Sequence, residues 1–313
     1  MRTLGIDTSN YTTSVCVYDS KSGLLIQKKR LLPVKPGEKG LRQSDAVFHH
    51  TSRLYPLIEE LFNEYCGEID AVGVSEKPRD AEGSYMPCFL VGVNAAKCIG
   101  SAMRKPVYGF SHQSGHIAAA LYSSDKMNLM NKKFIAFHVS GGTSEMLLVS
   151  PDSERGFNVE IIGKTLDLNC GQAVDRAGVM MGLSFPCGKE LEALALNSSE
   201  KYNPKVSVHG FNCSLSGLEN QCRKMLDQGE KHDNIARYCL DFIGKTIEKM
   251  TEAALSEFGK LPLVYAGGVM SNSLIRERIL GKFDASFAQP DFSCDNAAGV
   301  AVLASLKGAA DGE

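Results

Sequence analysis

Apolar runs separated by short polar turns divide the chain into two halves that begin in the same way. In the first half, LGIDTS, TSVCVYD and LLIQKKRLL fall within residues 4–32, and in the second half FIAFHVS, SEMLLVS and FNVEIIG fall within residues 134–163. Runs of this length, bounded by Gly, Ser, Asp and Asn, are typical of strands joined by tight turns. The pattern therefore predicts a three-stranded β-meander that occurs twice.

Helical patterns that alternate with short strands follow each meander. In the first half they cover residues 45–65 and 89–103, and the strands IDAVGVS and PVYGF lie after them. In the second half they cover residues 171–181, 190–196, 234–258, 273–281 and 296–307, with a strand in LPLVYAGG. Alternation of this kind predicts two α/β halves, each with helices covering a parallel or mixed sheet.

Two α/β halves that each open with a meander are typical of the actin-like ATPase (ASKHA) fold. We expect one lobe over residues 1–125 and another over 126–313, with a nucleotide cleft between them and the last helix, about residues 295–308, packed against the first lobe. The turns DTSN (residues 7–10) and SGGT (residues 140–143) would then present backbone N–H groups to phosphate oxygens. The alternative is that both are ordinary hairpin turns, which favour the same residue types.

Composition narrows the class of protein. With 43% hydrophobic and 22% charged residues, the 313-residue chain is expected to be globular, and its apolar stretches are too short to cross a bilayer. The N-terminus does not resemble a signal peptide, and the ten cysteines form no C-x-x-C pair, so we expect a cytoplasmic protein with reduced thiols. The net charge of -2 provides no bulk attraction for phosphates, so nucleic-acid contact would need local patches or a partner subunit.

The segment HQSGHIAAAL carries the first candidate metal site. His112 and His116 are four positions apart, so on a helix they share one face and can bind one metal ion. Gln113 stands where a zinc protease of the H-E-x-x-H type has its glutamate base, which disfavours protease chemistry. Asp295, at the predicted start of the last helix, is a candidate third ligand. Surface or capping roles for the histidines, and interaction of Asp295 with the helix dipole, remain the alternatives.

A third glycine turn, GGVMSN, follows the strand LPLVYA. Residues without a Cβ allow a ligand to approach the backbone closely, and Asn272 at the end of the turn can hydrogen-bond a ribose or a base. Asn272 is equally suited to cap the following helix. Because ligands of α/β sheets bind outside the carboxyl ends of strands, the position favours a nucleotide.

Eight motifs, in order along the chain, resemble the TsaD family of bacterial tRNA adenosine threonylcarbamoyltransferases, once also classed as M22 glycoproteases. They are LGIDTS, SHQSGHIAAAL, HVSGGTSEMLLV, TLDLNCGQAVDRAGVMMGL, FPCGKELEALA, FNCSLSGLEN, YAGGVMSNSLIRERI and DNAAGVAV. The resemblance implies transfer of a threonylcarbamoyl group from threonylcarbamoyl-AMP to the N6 amine of the tRNA adenosine next to the anticodon. It also implies one divalent metal, iron or zinc, an ATP, AMP or threonylcarbamoyl-AMP ligand, and tRNA, a TsaB-like paralogue and a TsaE-like ATPase as partners.

The same resemblance assigns site residues. His112, His116 and Asp295 match the metal ligands, and His138 is a hypothetical fourth, because archaeal and eukaryotic relatives carry a metal-binding tyrosine there. The alternative for His138 is a buried histidine bonded to the backbone. The implied nucleotide and substrate residues are Val139, Ser140, Gly141, Gly142, Asp175, Gly188, Glu192, Gly268 and Asn272. Among them, residues 139–142 match the phosphate loop and Asp175 matches the carboxylate that holds the ribose.

Several positions depart from the family pattern. Tyr11 stands where an acidic residue is expected, and Leu168, Gln172, Arg176 and Thr143 replace an Asp, a Glu, a Lys and a His. Two alternatives to a transferase therefore stay open. One is a paralogue that binds ATP or AMP and a metal as a regulatory or scaffold protein without transfer. The other is a sugar or acetate kinase, which is disfavoured because a kinase needs an acidic base near the phosphates and no histidine pair.

Overall fold

The computed structural model describes residues 1–9, 11–33 and 41–312, so Asn10 of the predicted first phosphate turn lies outside the described residues. The chain forms two compact units. The first unit comprises Met1–Asn131, Ser150–Val159 and Cys294–Glu313, and the second comprises Lys132–Val149 and Glu160–Ser293. The C-terminal segment therefore belongs to the same unit as the N-terminus.

Strands and helices alternate along both units. The strands are β1 (Arg2–Asp7), β2 (Thr12–Asp19), β3 (Leu24–Leu31), β4 (Ala71–Lys77), β5 (Val107–Ser111), β6 (Phe134–Val139), β7 (Ser144–Asp152), β8 (Gly156–Lys164), β9 (Ser207–His209), β10 (Asn212–Ser214), β11 (Leu263–Ala266) and β12 (Ala285–Phe287). The helices are α1 (Gln43–Glu64), α2 (Phe89–Met103), α3 (His112–Ser123), α4 (Cys170–Met180), α5 (Gly188–Asn197), α6 (Ser216–Asp227), α7 (His232–Phe258), α8 (Ser273–Leu280) and α9 (Ala298–Ala310). None of these helices is long and apolar enough to span a membrane.

The two large sheets have the same topology, which confirms the predicted repeat. One has the order β3-β2-β1-β4-β5, and the other has the order β8-β7-β6-β11-β12. In each, the opening strand pairs antiparallel with the next strand and parallel with a later one, as β1 does with β2 and β4, and β6 with β7 and β11. Parallel pairing places the carboxyl ends of β1, β4 and β5 at one edge of the first sheet.

Helix α9 covers the sheet of the first unit. The Thr3 hydroxyl in β1 donates to the Ala301 carbonyl oxygen in α9 at 2.8 Å, and most of the helix from Ala298 to Ser305 is buried. A helix that is apolar on all sides is suited to such a buried position. The packing fixes the segment that precedes α9, which contains Asp295.

The observed elements differ from the predicted ones at four places. Helix α6, the short β9–β10 hairpin and strand β12 were not predicted. Helix α9 begins at Ala298, so Asp295 lies in the bend before the helix and not at its start. The reason is local, because the Asn296 side chain accepts the Ala298 N–H at 3.1 Å and holds a turn before the helix begins.

Candidate metal centre and nucleotide loops

Helix α3 positions the two candidate histidines. Ser111, at the end of β5, caps the helix by accepting the Ser114 N–H at 3.1 Å, so α3 starts directly at His112. His116 follows one turn later on the same face. The Asp80 carboxylate, which accepts from the Ser111 hydroxyl at 2.7 Å, adds a negative charge at the positive end of the helix dipole.

His112, His116 and Asp295 lie together in the first unit. The two Nε2 atoms are 2.9 Å apart, and the Asp295 Oδ1 atom lies 3.4 Å from His112 Nε2 and 3.3 Å from His116 Nε2. Two ligand atoms of a tetrahedral zinc site are separated by about 3.3 Å when the bonds are near 2.0 Å. Among the residues that the structure describes, these three donor atoms therefore have the spacing expected for ligands of one small cation.

The donor set fits both metals that the family resemblance implies. Two imidazoles and one carboxylate form the protein ligands of catalytic zinc sites and of non-haem iron(II) sites. In both kinds of site, further positions stay open for water or substrate. These three side chains alone do not discriminate between zinc and iron.

Asp7 lies directly behind His112, and the sequence places it in the DTSN turn without assigning a role to its side chain. This carboxylate is 1% exposed at the end of β1, and its Oδ2 atom is 2.8 Å from His112 Nδ1. The Ser75 hydroxyl in β4 donates to the same oxygen. Because Asp7 and His112 are far apart in the sequence, only the adjacency of β1, β4 and β5 in the sheet reveals the contact.

Charge pairing dominates the electrostatics of this cluster. Burial would lower the pKa of His112, but Asp7 and Asp295 raise it to about 10. Burial would raise the pKa of Asp295, but hydrogen bonds to His112 and His116 hold it well below its usual range. Burial would also raise the pKa of Asp7, but the contacts with His112, Ser75 and Ser9 together lower it. The cluster thus favours ionised carboxylates beside the imidazoles.

The predicted phosphate loop connects β6 to β7 in the second unit. The Ser140 N–H donates to the Thr143 carbonyl oxygen at 2.6 Å, and the Ser140 hydroxyl accepts the Thr143 N–H at 3.1 Å. Side chains added at Gly141 or Gly142 would meet no atom within 4 Å, so the outer face of the loop is open. An open turn of small residues allows phosphate oxygens to approach the backbone.

The first turn of α4 packs against this loop. The Gly171 N–H donates to the Ser140 carbonyl oxygen at 3.1 Å, and the Asn169 amide donates to the Gly142 carbonyl oxygen at 3.0 Å. A Cβ at Gly171 would lie 2.6 Å from the Gly141 nitrogen, so only glycine allows this approach. The loop shape is therefore set by α4 as well as by its own glycines.

Two further predicted residues meet at the start of α5. The Cys187 N–H donates to the Asp175 carboxylate at 2.8 Å, and Gly188 is the next residue. Burial raises the pKa of Asp175, and this hydrogen bond only partly offsets the effect. Asp175 keeps a second carboxylate oxygen that can accept a hydrogen bond from a hydroxyl group.

The remaining predicted residues gather at the start of α8. Gly268 begins a short 3-10 turn after β11, and the Asn272 side chain caps α8 by accepting the Ile275 N–H at 3.2 Å. The Glu192 carboxylate of α5 accepts the Ser273 N–H at 2.7 Å. Glu192 and Asn272 are thus brought together, and the Asn272 amide group retains its N–H donors for a ligand.

Two departures from the family pattern, Leu168 and Gln172, have structural explanations. Leu168 is 6% exposed and packs in the hydrophobic core of the second unit. Gln172 accepts the Asn169 N–H at 3.3 Å, a capping-box contact that a glutamate would also make. Asp167, next to Leu168, accepts the Leu215 N–H at 2.8 Å at the start of α6.

Tyr11 and His138 fall in different units. Tyr11 follows the first turn of the N-terminal meander and is 40% exposed. His138 lies in β6, where it pairs with Glu145 of β7 and with Ala266 of β11. The role of His138 in metal binding stays a prediction.

The duplicated sheets and the His-His-Asp cluster define a protein of the actin-like ATPase fold with a candidate metal site, and solved structures confirm this fold. Component A of the Acidaminococcus fermentans (R)-2-hydroxyglutaryl-CoA dehydratase superposes with a TM-score of 0.56 at 13% identity, covering 99% of each chain. A ROK family glucokinase from Streptomyces griseus superposes with a TM-score of 0.54 at 12% identity, covering 98% of this chain and all of the glucokinase. At these identities the likeness concerns the fold alone.

Family comparison then identifies the chain more narrowly. Residues 34–302 match the family model of TsaD, the tRNA N6-adenosine threonylcarbamoyltransferase. A protein of that name from Buchnera aphidicola is 30% identical, over 98% of this chain and 93% of the relative. The chain therefore belongs to the tRNA N6-adenosine threonylcarbamoyltransferase family, which confirms the predicted family and the predicted transferase class.

Proposed function

We propose that the chain transfers a threonylcarbamoyl group from threonylcarbamoyl-AMP to the N6 amine of the tRNA adenosine next to the anticodon. Family membership over residues 34–302 carries this proposal. The His-His-Asp cluster and the open loop at Ser140 support it, because they would supply the two kinds of site that such a reaction needs, a metal site and a phosphate site.

The second unit would hold the adenylate. Backbone N–H groups of the loop at residues 140–143 would bind the phosphate, and the open face of Gly141 and Gly142 leaves room for it. The Asp175 carboxylate would accept a ribose hydroxyl, while Asn272 would donate to the adenosine. Val139, Gly188 and Gly268 would support these groups from the end of β6, the start of α5 and the turn after β11. Glu192 would do so through its hydrogen bond from the Ser273 N–H.

The first unit would hold the metal through His112, His116 and Asp295. When bound, a divalent cation, zinc or iron, would supply Lewis-acid polarisation of a carbonyl or phosphate oxygen. The side chains themselves would direct one imidazole nitrogen each from His112 and His116, and one carboxylate oxygen from Asp295, toward one point. No nucleophilic side chain is required, because AMP is already a good leaving group and positioning can accelerate attack by the amine.

The partners follow from the reaction and from the charge of the chain. With a net charge of -2, the chain would contact tRNA through local patches or through partner subunits. We propose a TsaB-like paralogue and a TsaE-like ATPase as those subunits, and a cytoplasmic location, where tRNA is modified.

Transfer of labelled threonine to tRNA tests the proposal. The purified chain is incubated with tRNA, ATP, bicarbonate, labelled threonine and the adenylate-forming and partner proteins, and label in tRNA is counted. Label that depends on this chain supports the transferase. Tight AMP binding without label would instead support the regulatory or scaffold alternative that Tyr11 and Leu168 leave open.

A further inference from the structure

The buried carboxylate of Asp7 is saturated by contacts on both oxygens. Its Oδ1 atom accepts the Ser9 N–H at 2.8 Å and the Ser9 hydroxyl, and its Oδ2 atom accepts the Ser75 hydroxyl and lies 2.8 Å from His112 Nδ1. A carboxylate offers about four lone-pair sites, so these contacts use them all. Asp7 is therefore engaged behind His112 and has no oxygen left for a metal.

The contact determines which nitrogen of His112 faces the cluster. An ionised carboxylate can only accept, so His112 must donate from Nδ1. In the neutral imidazole, the lone pair then lies on Nε2, the atom that is 2.9 Å from His116 Nε2 and 3.4 Å from Asp295 Oδ1. The hydrogen bond thus selects the tautomer that can bind a cation and also fixes the ring plane.

We propose that Asp7 is a positioning residue for the metal site and that it holds His112 in the Nδ1–H form with Nε2 directed at the ion. Ser9 and Ser75 hold Asp7 in turn, so the arrangement extends from β1 through β4 to α3. This inference rests on the proposed metal site and adds a residue that is not a ligand. Carboxylates in this position orient the ring of a metal-binding histidine and raise its basicity.

Asparagine at position 7 is the informative substitution. Asp7→Asn keeps the volume, but its amide group can donate to Nδ1 and so favours the Nε2–H tautomer, whose lone pair points away from the cluster. Loss of such an outer carboxylate lowers metal affinity by about 10- to 100-fold. Asp70→Asn is the matched control, because Asp70 is a part-buried carboxylate of the same unit that accepts the Arg2 N–H at 2.8 Å.

Zn²⁺ affinity and the Co²⁺ absorption spectrum test the proposal. Affinities are measured by competition with a chromophoric chelator on folded, metal-stripped protein, for wild type, Asp7→Asn and Asp70→Asn. We expect about 10- to 100-fold weaker Zn²⁺ binding and an altered Co²⁺ d–d spectrum for Asp7→Asn alone. A purely structural role would leave the spectrum of the bound ion unchanged.

The possible results distinguish the role of Asp7 from the existence of the metal site. Equal affinities and equal spectra for wild type and Asp7→Asn would overturn the role of Asp7 and leave the metal site intact. Failure of wild type to bind Zn²⁺ or Co²⁺ would instead overturn the metal site itself. Should Asp7→Asn not fold, Ser75→Ala replaces it, since this change removes one support of Asp7 and keeps the carboxylate. A severalfold loss of affinity in Ser75→Ala supports the proposal, and no loss contradicts it.

Discussion

Gly299 in α9 lies directly against Gly115 in α3. A Cβ added to Gly299 would stand 1.8 Å from the Gly115 carbonyl oxygen, so the two helix backbones touch at this point. Gly115 precedes His116, and Gly299 follows Asp295 by four residues. The close contact of the two glycines therefore allows Asp295, the candidate acidic ligand, to approach His112 and His116.

Separating these helices should weaken the metal site. Gly299→Ala must push α9 away from α3, and we expect it to lower the free energy of unfolding by about 1–3 kcal/mol through overpacking. Zn²⁺ affinity should fall with it, because Asp295 moves away from His112 and His116. Denaturant unfolding and chelator competition measure the two effects.

Gly217→Ala is the control for that substitution. A Cβ at Gly217, in the first turn of α6, meets nothing within 4 Å. Alanine in a helix is more favourable than glycine by roughly 0.5–1 kcal/mol, so this variant should be as stable as wild type or more so. Equal stability and equal metal affinity in Gly299→Ala and Gly217→Ala would show that the close contact between α3 and α9 contributes to neither property.

Removing the Asn169 amide should loosen the phosphate loop. Asn169→Ala deletes the hydrogen bond to the Gly142 carbonyl oxygen, and a neutral hydrogen bond contributes about 0.5–1.5 kcal/mol. We therefore expect AMP to bind about 2- to 10-fold more weakly, as measured by calorimetry. Asn220→Ala, at an exposed position of α6, is the control and should bind AMP like wild type. An unchanged affinity in Asn169→Ala would exclude a role for this contact in nucleotide binding.

A buried ion network joins α7 to α8 and is expected to make stability depend on pH. Glu248 is 0% exposed and contacts Lys245 at 2.9 Å, Arg278 at 3.0 Å and Lys282 at 2.8 Å. Burial acts to raise the pKa of Glu248, but hydrogen bonds from these three cations lower it from 4.5 to about 2. Its stabilisation is thus fully present above pH 4.5 and is lost as the pH falls toward 2.

Glu248→Gln tests this network. At pH 7 we expect the variant to be less stable than wild type by about 2–3 kcal/mol, and the difference should shrink below the ordinary glutamate pKa. Urea unfolding at several pH values measures it. Glu257→Gln, near the end of α7, serves as a control, and a difference for Glu248→Gln that does not change with pH would contradict the assignment.

The predicted fourth ligand is tested through metal content. If His138 binds the metal, His138→Ala should retain less zinc or iron than wild type after purification. His209→Ala, in the β9–β10 hairpin, controls for the loss of a histidine elsewhere in the second unit. Equal metal content in the two variants and wild type would remove His138 from the site.

The sequence revealed the repeat because both meanders carry strong apolar runs with polar turns between them. It failed at α6, although Leu218, Cys222 and Met225 recur with helical spacing and are buried. The helix starts within SLSG, whose serine and glycine residues are typical of loops, so the helical spacing of the apolar residues was not recognised. Strand β12 has three residues, too few for a period of two to be recognised.

The candidate metal site could also be predicted only in part from the sequence. His112 and His116 could be found because helical spacing alone places them on one face. Asp7 could not be found in this way. Its contact with His112 depends on the order of the strands in the sheet, and that order is determined by pairing between strands that are far apart in the sequence. Leu168 stands where the family pattern has an Asp, and the structure places it in the hydrophobic core. Burial of a side chain cannot be seen from a motif alone.

Metal content is the most direct test of the central claim, that His112, His116 and Asp295 hold a cation. Wild type, His116→Ala and Asp295→Asn are purified under identical conditions, stripped with a chelator, reloaded with zinc or iron(II) and analysed by mass spectrometry for bound metal. The site predicts close to one equivalent in wild type and a large loss in both variants. Wild type that binds no metal, or variants that bind as much as wild type, would contradict it.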